Sequence, residues 1–478
     1  MDGLTSAREQ ETGRTPPYAK GWGAAIVMVL AAMLDLIDAS IVNTALPAIG
    51  QGLDASATQL EWMVSAYMLG FAATLIIAGH LGDRFGRKRL FLTGVAGFAL
   101  ASLGSAVAAG AGQLIGARAV QGVAAALLLP QVLGTVRTLF DGAERAKVFA
   151  LYGAVAGTAS AVGVVLGGVL TDRDLFGWGW RTVFAVNVPI AVAVFVLGAL
   201  WIPDERAERI SGRLGLPGAL TLAAALAAIV LPLIEGRANG WPLWGWVLLA
   251  SGCLTLIALV RHQSRRGVVQ PLLPTALFAR SAFGAGLVIQ MLFAGGMSGY
   301  LMVFTVWLQS GQGYTPTQAG LVTVTFSAGA FLSAPFVNRL VARFGRYVLA
   351  GGGLLMAVGF AWVGQATSAA PAAWPLVPGF VVAGAGLGFV LIPLVNIVLS
   401  AVPVELAGCA SGIFSTAQQF GGALGVALIG NTFFAHVPGG WNDAIAHAAP
   451  WTAAAFLAGA ALCLALPREN LVDHDLAA

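Results

Sequence analysis

Two carboxylates, Asp35 and Asp38, stand in an otherwise apolar segment that continues Ile37-Asp38-Ala39-Ser40-Ile41-Val42-Asn43-Thr44-Ala45-Leu46-Pro47. At i and i+3 they share one helical face. A charge near a bilayer centre costs about 2.5–3.5 kcal/mol on insertion scales, so such acids usually face a cavity and serve transport or proton relay. If they lie close together they titrate as a coupled pair. A second polar group, Arg118-Ala119-Val120-Gln121-Gly122, falls in another apolar run. A guanidinium there cannot shed its proton and must find acids or carbonyls. In the first half of the chain Asp38 or Asp35 is the intramembrane acid within reach of Arg118, and a structural salt bridge between spans 1 and 4 is one reading of that reach. Asp35 can equally be an acid that only tunes cavity polarity.

These residues need a scaffold, and composition says which kind. The chain has 478 residues, 58% hydrophobic and 10% charged, with mean hydropathy +0.84. Soluble domains carry roughly 25% charged residues, so this is a polytopic, all-α membrane protein rather than a soluble enzyme. Its net charge of +4 resides in short clusters between apolar runs, which argues against nucleic-acid binding. Cys253, Cys409 and Cys463 are far apart within apolar runs and fit neither a disulfide framework nor a metal site. The polar start, with Pro16-Pro17, lacks a cleavable signal's pattern, so the first span is expected to remain.

A span needs about 20 apolar residues. Fourteen are expected, near 22–47, 58–80, 89–109, 112–137, 147–171, 181–202, 214–234, 241–261, 281–309, 316–340, 346–367, 373–402, 406–434 and 450–466. Spans 3 and 4 are divided only by Gly110-Ala111-Gly112. With the N-terminus inside, 21 of the 25 Lys and Arg fall in inner loops and tails. The outer loops keep Arg173, Arg181 and Arg237, while Arg118 stays in span 4. The positive-inside rule then puts both termini in the cytoplasm.

The chain also repeats itself. Leu81 and Arg84-Phe85-Gly86-Arg87 return as Leu340 and Arg343-Phe344-Gly345-Arg346, an offset of 259, each after the second span of its half. The expected organisation is a cytoplasmic tail (1–21), a six-helix bundle (22–202), a linker region with two additional spans (203–280), a second six-helix bundle (281–467) and a cytoplasmic tail (468–478). Duplicated bundles with a site at their interface are the architecture of secondary transporters.

The loop Gly79-His80-Leu81-Gly82-Asp83-Arg84-Phe85-Gly86-Arg87-Lys88-Arg89 resembles the major facilitator superfamily loop between spans 2 and 3, G-x-L-x-D-R-x-G-R-[RK], at every position. Its glycines allow a tight turn, and Asp83 can pair with arginines or cap a helix. The resemblance makes Gly79, Asp83, Arg84, Gly86, Arg87 and Lys88 a conformational latch that holds the two halves together on the cytoplasmic side in the outward-open state. The second copy has Ala342 at the place of Asp83, so such a latch is lopsided. The segment from Asp38 to Pro47 looks like the span-1 motif of the fourteen-span drug:proton antiporters (the EmrB/QacA-like branch), L-D-x-[ST]-I-V-N-x-A-L-P. Ile37 replaces its leading leucine. Arg118 to Gly122 is similar to the family's R-x-x-Q-G. The resemblance implies that Asp38 governs cation recognition or proton exchange and that Arg118 takes part in proton coupling.

Two departures stand beside these matches. The antiporter signature ends G-P-x-x-G-G, where this chain has Gly163-Val164-Val165-Leu166-Gly167-Gly168. Without the proline's kink, Gly153, Gly157, Gly163, Gly167 and Gly168 read as helix-packing positions. Span 13, from Ala410 to Gly425, resembles A-S-G-x-x-x-T-x-R-Q-x-G-G-x-x-G, with Gln418 in place of the arginine and Gln419 retained. Other polar and aromatic residues, Asn43, Trp62, Tyr67, Gln121, Tyr300, Trp307 and Asn396, are candidates to line a substrate cavity, with Asp38, Gln418 and Gln419. Aromatic faces bind cations, though Trp and Tyr also belong to interfacial belts. Glu61 and Glu235, near span ends, read as interfacial.

The function these features imply is proton-coupled efflux of hydrophobic, often cationic small molecules, a multidrug or antibiotic exporter of the bacterial cytoplasmic membrane. The expected partners are protons, a small-molecule substrate and membrane lipid. No cofactor or metal is expected: the drive is the proton motive force, and no Walker pattern is present. A monomer suffices. A dedicated exporter of one endogenous metabolite and a proton-coupled importer are the alternatives.

Overall fold

The computed structural model describes residues 19–140, 142–174, 177–204, 216–263, 275–278, 281–369, 374–400, 402 and 406–466. The N-terminal tail to residue 18, the C-terminal tail from 467 and most of the basic stretches at 205–215 and 264–274 lie outside the described residues. Apolar runs of this length become helices because a backbone surrounded by lipid must satisfy its own hydrogen bonds. Fourteen helices long and apolar enough to cross a membrane are present among the described residues. They are, or for the sixth contain, α1 (Ala19–Gly52), α2 (Ala57–Phe85), α3 (Arg87–Ala106), α4 (Ala111–Leu139), α5 (Gly142–Asp172), α6 (Asn187–Trp201, within the span Gly179–Trp201), α7 (Leu216–Ala238), α8 (Leu243–Gln263), α9 (Ser281–Val306), α10 (Pro316–Phe344), α11 (Arg346–Ala369), α12 (Leu376–Ser400), α13 (Ala407–His436) and α14 (Trp441–Cys463).

The expected spans are all present, and the break at Gly110 separates α3 from α4. The last span differs: α14 begins at Trp441, well ahead of the expected start at 450. Its first turns are amphipathic, with Ala444, Ile445, Ala448 and Ala449 buried while Asn442, Asp443 and His447 are exposed. The polar face lowers the average hydropathy and hides the helix start.

The two halves pack alike. In the first, α1 lies on α5 and α6, α2 on α4, and α3 on α4 and α6. In the second, α9 lies on α13 and α14, α10 on α12, and α11 on α12 and α14. The halves meet along two seams, α2 with α13 and α5 with α10. The repeat reaches the ends of the helices. Ser56 and Gln59 form a capping box at the start of α2, and Thr315 and Gln318 form the same box at the start of α10. Each helix stops at a glycine of positive φ, Gly86 at 95° and Gly345 at 53°, a conformation that costs a residue without Cβ little. Helices α7 and α8 pack on each other, and α7 touches both halves, at α2 and α13. Helix α8 leaves Leu243, Trp246 and Leu254 exposed, as suits a lipid-facing surface.

Candidate functional site

Close approach of helices in the first half brings the polar residues together. An added Cβ at Gly163 would stand 2.9 Å from the Ile37 carbonyl oxygen, and one at Gly167 2.8 Å from that of Ile41, so α5 lies directly against α1. A Cβ at Gly122 would overlap the Tyr67 carbonyl oxygen, which draws α4 onto α2. Asp38, Arg118, Gln121 and Tyr67 then converge. Arg118 Nη1 donates to Asp38 Oδ2 at 2.6 Å and to Gln121 Oε1 at 2.6 Å, and its Nε donates to the Met63 carbonyl at 3.4 Å. Gln121 Nε2 donates to Asp38 Oδ1 at 2.9 Å and to Ser102 Oγ at 2.9 Å, and Asn187 Nδ2 adds a bond of 2.6 Å to Asp38 Oδ1. The guanidinium also lies over the Tyr67 ring, 4.3 Å from its centroid. Tyr67 in turn donates its hydroxyl to Asp35 Oδ1. A continuous polar chain thus runs from Asp35 through Tyr67 and Arg118 to Asp38.

The two acids have different exposures. A cavity of about 770 Å³ lies between the halves, and Asp35, Asn43, Tyr67, Arg118, Gln418 and Gln419 are on its wall. Asp38 is fully buried and does not reach it. Two amide donors and a guanidinium saturate Asp38, so its place is behind the wall, contrary to the expectation of direct substrate contact. Gln121 is likewise fully buried in that cluster. Among the described residues Asp35 has no ion-pair partner. Tyr152, Met68 and Met297 complete the surroundings of the cavity near it. Sequence reasoning missed Tyr152 and Asn187. An asparagine near the start of the apolar run 187–201 was the available signal for the second.

The other expected residues divide. Trp62 donates to Glu235 Oε1 at 2.8 Å, Trp307 to Asn442 at 3.0 Å, and Tyr300 is fully buried against Phe304 and Phe360. Asn396 is exposed away from the cavity. None of the four lines it; the polar edges of the two tryptophans and the ring of Tyr300 are already used in packing. Of the glycines in α5, Gly163 and Gly167 pack on α1, and Gly168 approaches Pro316 and Thr317 of α10. Gly153 has open space around it, so it is not a packing position, and the surroundings of Gly157 lie outside the described residues. Glu61 is fully buried, 3.6 Å from Arg237. That corrects its reading as interfacial: α7 covers it.

The two ends of the cavity also differ. At one end its wall includes Gly79, His80, Asp83 and Arg87, and Asp83 is 43% exposed, so the cavity reaches the surface there. Asp83 pairs with Arg87 of its own half at 3.2 Å, Arg87 packs on Gly134, and Gly82 leaves room for Gln131. Arg84 and Gly86 hold the turn beside them, and Lys88 is 3.7 Å from Asp204. At the other end the halves are bonded together. Gln309 Nε2 donates to the Thr44 carbonyl at 2.7 Å, and the Thr317 amide donates to Asp172 Oδ2 at 2.9 Å. The cavity is open beside the Asp83 loop and shut at the opposite end.

Two bundles related by a repeat, a cavity between them and one shut end are the geometry of alternating access. The family model described as Major Facilitator Superfamily matches residues 28–426 and 286–473. The chain belongs to the Major Facilitator Superfamily. Within this superfamily it is 37% identical over 88% of its length, and 73% of the relative's, to a Streptomyces coelicolor protein named "Probable actinorhodin transporter". It is 32% identical over 92% of its length, and 82% of the relative's, to the "Tetracenomycin C resistance and export protein" of Streptomyces glaucescens. Among solved structures, an auto-inhibited POT family peptide transporter superposes with TM-score 0.68 at 16% identity, covering 95% of this chain and 99% of that one. This last likeness concerns the superfamily fold alone. The chain is a multi-pass membrane transporter of the superfamily's drug-efflux group.

Proposed function

We propose that the protein exports lipophilic, aromatic small molecules, cations among them, across a bacterial cytoplasmic membrane in exchange for protons. The observation that carries this reading is the division of labour between the two acids. Asp35 faces the cavity with Tyr67 as its donor and, among the described residues, no ion-pair partner, whereas Asp38 is committed to Arg118. A cavity of 770 Å³ falls in the range of drug-sized sites, roughly 300–1,000 Å³. Its methionine and phenylalanine walls, Met68, Phe71, Met297 and Phe326, offer polarizable contacts to flat apolar solutes.

The positive-inside rule places the Asp83 loop in the cytoplasm, so the open end is the loading side. A cationic solute entering there meets an ionised Asp35. A proton arriving when the opposite end is open neutralises that carboxylate and releases the solute outward. Tyr67 links Asp35 to the Arg118–Asp38 pair, so a change of charge at the wall is felt where α1, α2, α4 and α6 meet. A potential of 100 mV is worth about 2.3 kcal/mol per charge, enough for roughly fiftyfold accumulation of a neutral solute exchanged for one proton. The loop at Asp83 acts as the latch that engages when the cavity opens outward, and its pairing within one half here accords with a released state. The relatives' names support the solute class: one is named for transport of actinorhodin and another for resistance to and export of tetracenomycin C.

The test uses proteoliposomes with an imposed pH gradient and a panel of cationic and neutral aromatic dyes. Gradient-driven dye movement that Asp35→Asn removes is the expected result. Movement unaltered by Asp35→Asn takes Asp35 out of the mechanism, and no movement of any dye refutes the export of aromatic lipophiles.

A further inference from the structure

Glu61 lies outside the cavity and outside the polar chain just described. It is in the first turns of α2, fully buried, at the shut end of the molecule. Both of its carboxylate oxygens lack a hydrogen-bond partner, as do Nε and Nη2 of Arg237, the cation 3.6 Å away. The guanidinium instead lies over the Phe434 ring of α13, 5.5 Å from its centroid. A well-made buried ion pair spends its hydrogen-bonding capacity on its partners; this one does not. The charges that bear on Glu61 are Arg237 and Glu235, both from α7, and Glu235 is held close by its bond from Trp62. From α13 it meets Gly430, where an added Cβ would stand 3.1 Å from Glu61 Oε1. Around Glu61 there are thus two carboxylates, counting its own, and one guanidinium, and a single proton brings the three groups to neutrality.

Position adds the second half of the argument. Residues 61, 65 and 68 recur at helical spacing on the face of α2 toward α13, where Met68 meets Gly422. One turn from Glu61 on that face, Ser65 is fully buried with an unpartnered hydroxyl. The α2–α13 seam joins the two halves, so it must part at this end when the cavity opens the other way. Opening brings water to Glu61, and shutting removes it. A carboxylate without donors is costly to leave charged when dry.

We propose that Glu61 is a second proton-binding site, which takes a proton from the outer solution as the α2–α13 seam shuts and returns it there when the seam opens. It rests on the reading of the protein as a proton-coupled exporter. Its part is to make outer acidity favour the inward-open form, and so the leg of the cycle that recovers the loading state. It is separate from Asp35, whose proton crosses the membrane.

The experiment reads conformation rather than transport. Spin labels at Gln51 and Ala446, exposed residues of the two halves, report the width of the outer end in liposomes, with the three native cysteines replaced. Acidification is expected to raise the shut-to-open ratio of the otherwise wild-type protein by roughly tenfold or more, the effect of one unit of linked proton affinity. Glu61→Gln, neutral at every pH, should stay shut and lose the response, while Asp35→Asn keeps it. A wild-type response in Glu61→Gln, its loss in Asp35→Asn, or a wild-type distance indifferent to pH overturns the proposal. Should Glu61→Gln fail to fold, a hydrophobic carbodiimide, which modifies buried protonated carboxyls, is applied to the unsubstituted protein. Mass spectrometry should then find Glu61 modified under mildly acidic conditions, and modification of Asp35 without Glu61 overturns the proposal. An intact distance response in a protein that moves no dye would instead refute the export reading alone.

Discussion

The two halves share their backbone packing and differ in what they place at the same points. Gly122 on the Tyr67 carbonyl and Gly384 on the Phe326 carbonyl are the same crossing in the two bundles. So are Gly163 on Ile37 with Gly167 on Ile41, and Gly421 on Met291 with Gly425 on Gly295. In this register Tyr67 corresponds to Phe326, Arg118 to Phe380, Asp35 to Ile289 and Asp38 to Leu292. The guanidinium 4.3 Å over a tyrosine ring in the first half becomes two phenylalanines 6.4 Å apart at their centroids in the second, joined by Phe360, Phe304 and Tyr300. Small residues at helix crossings set the architecture, and it tolerates either filling. The titratable cluster resides in the first half, and the second places a packed aromatic cluster at the same points, of which Phe326 reaches the cavity.

The sharpest way to break that contrast is to exchange the fillings. Arg118→Leu leaves Asp38 as a buried, unpaired carboxylate, and removing one partner of such a pair costs about 3–5 kcal/mol. Thermal unfolding in detergent should show that loss, with gradient-driven dye movement abolished. Phe380→Leu at the equivalent position trims a packed ring for about 1–3 kcal/mol and should leave transport measurable. The double variant Asp38→Leu with Arg118→Leu should regain stability over either single change without regaining transport. Equal transport loss in Phe380→Leu and Arg118→Leu would erase the distinction between the halves.

A smaller effect tests the shared scaffold. Gly122→Ala and Gly384→Ala each push a methyl into a carbonyl oxygen of the neighbouring helix. Overpacking of this kind costs about 1–3 kcal/mol, and the two losses should match. A large inequality in unfolding temperature would show that the crossings are not equivalent.

How much of this was legible beforehand depends on where each signal lives. Span number and the duplication follow from hydropathy and from motif spacing, and an acid of span 1 was expected near Arg118, while the choice of Asp38 and the place of Gln121 beside it came from packing. The capping boxes at Ser56 and Thr315 extend the same offset of 259 and were present in the letters. What covers a residue is decided by another helix. Asp38 is bonded by Asn187 of α6, and Glu61 is covered by Arg237 of α7. Trp62, Tyr300 and Trp307 were credible cavity aromatics by type, yet partners far along the chain turn their polar edges or faces into packing contacts. Periodicity names a face, and only tertiary packing names its neighbour.

Within the first half, Tyr67→Phe sharpens the comparison by making residue 67 match Phe326. It removes the hydroxyl that Asp35 accepts from and retains the ring under Arg118. A hydrogen bond to a charged group is worth about 1.5–3 kcal/mol. Proton-coupled exchange should fall by about tenfold, with the unfolding temperature within a few degrees of the parent. An unchanged exchange rate would sever Asp35 from the Arg118–Asp38 pair.

The smallest expected effect concerns the two helix starts at the shut end. Ser56→Ala and Thr315→Ala each remove the side-chain acceptor of the Gln59 or Gln318 amide, a change worth typically about 1 kcal/mol. If the repeat is mechanically symmetric, the two variants lose stability equally. Their transport phenotypes should nevertheless differ. Helix α10 begins where Thr317 donates to Asp172 of the other half, so loosening its first turn weakens a bond at the shut end. Helix α2 begins beside Glu61, and fraying it admits water to that carboxylate instead. Thr315→Ala should therefore widen the outer end at every pH, whereas Ser56→Ala should alter it in a pH-dependent way. Identical distance profiles for the two would mean that both ends of the repeat gate alike, whatever their side chains.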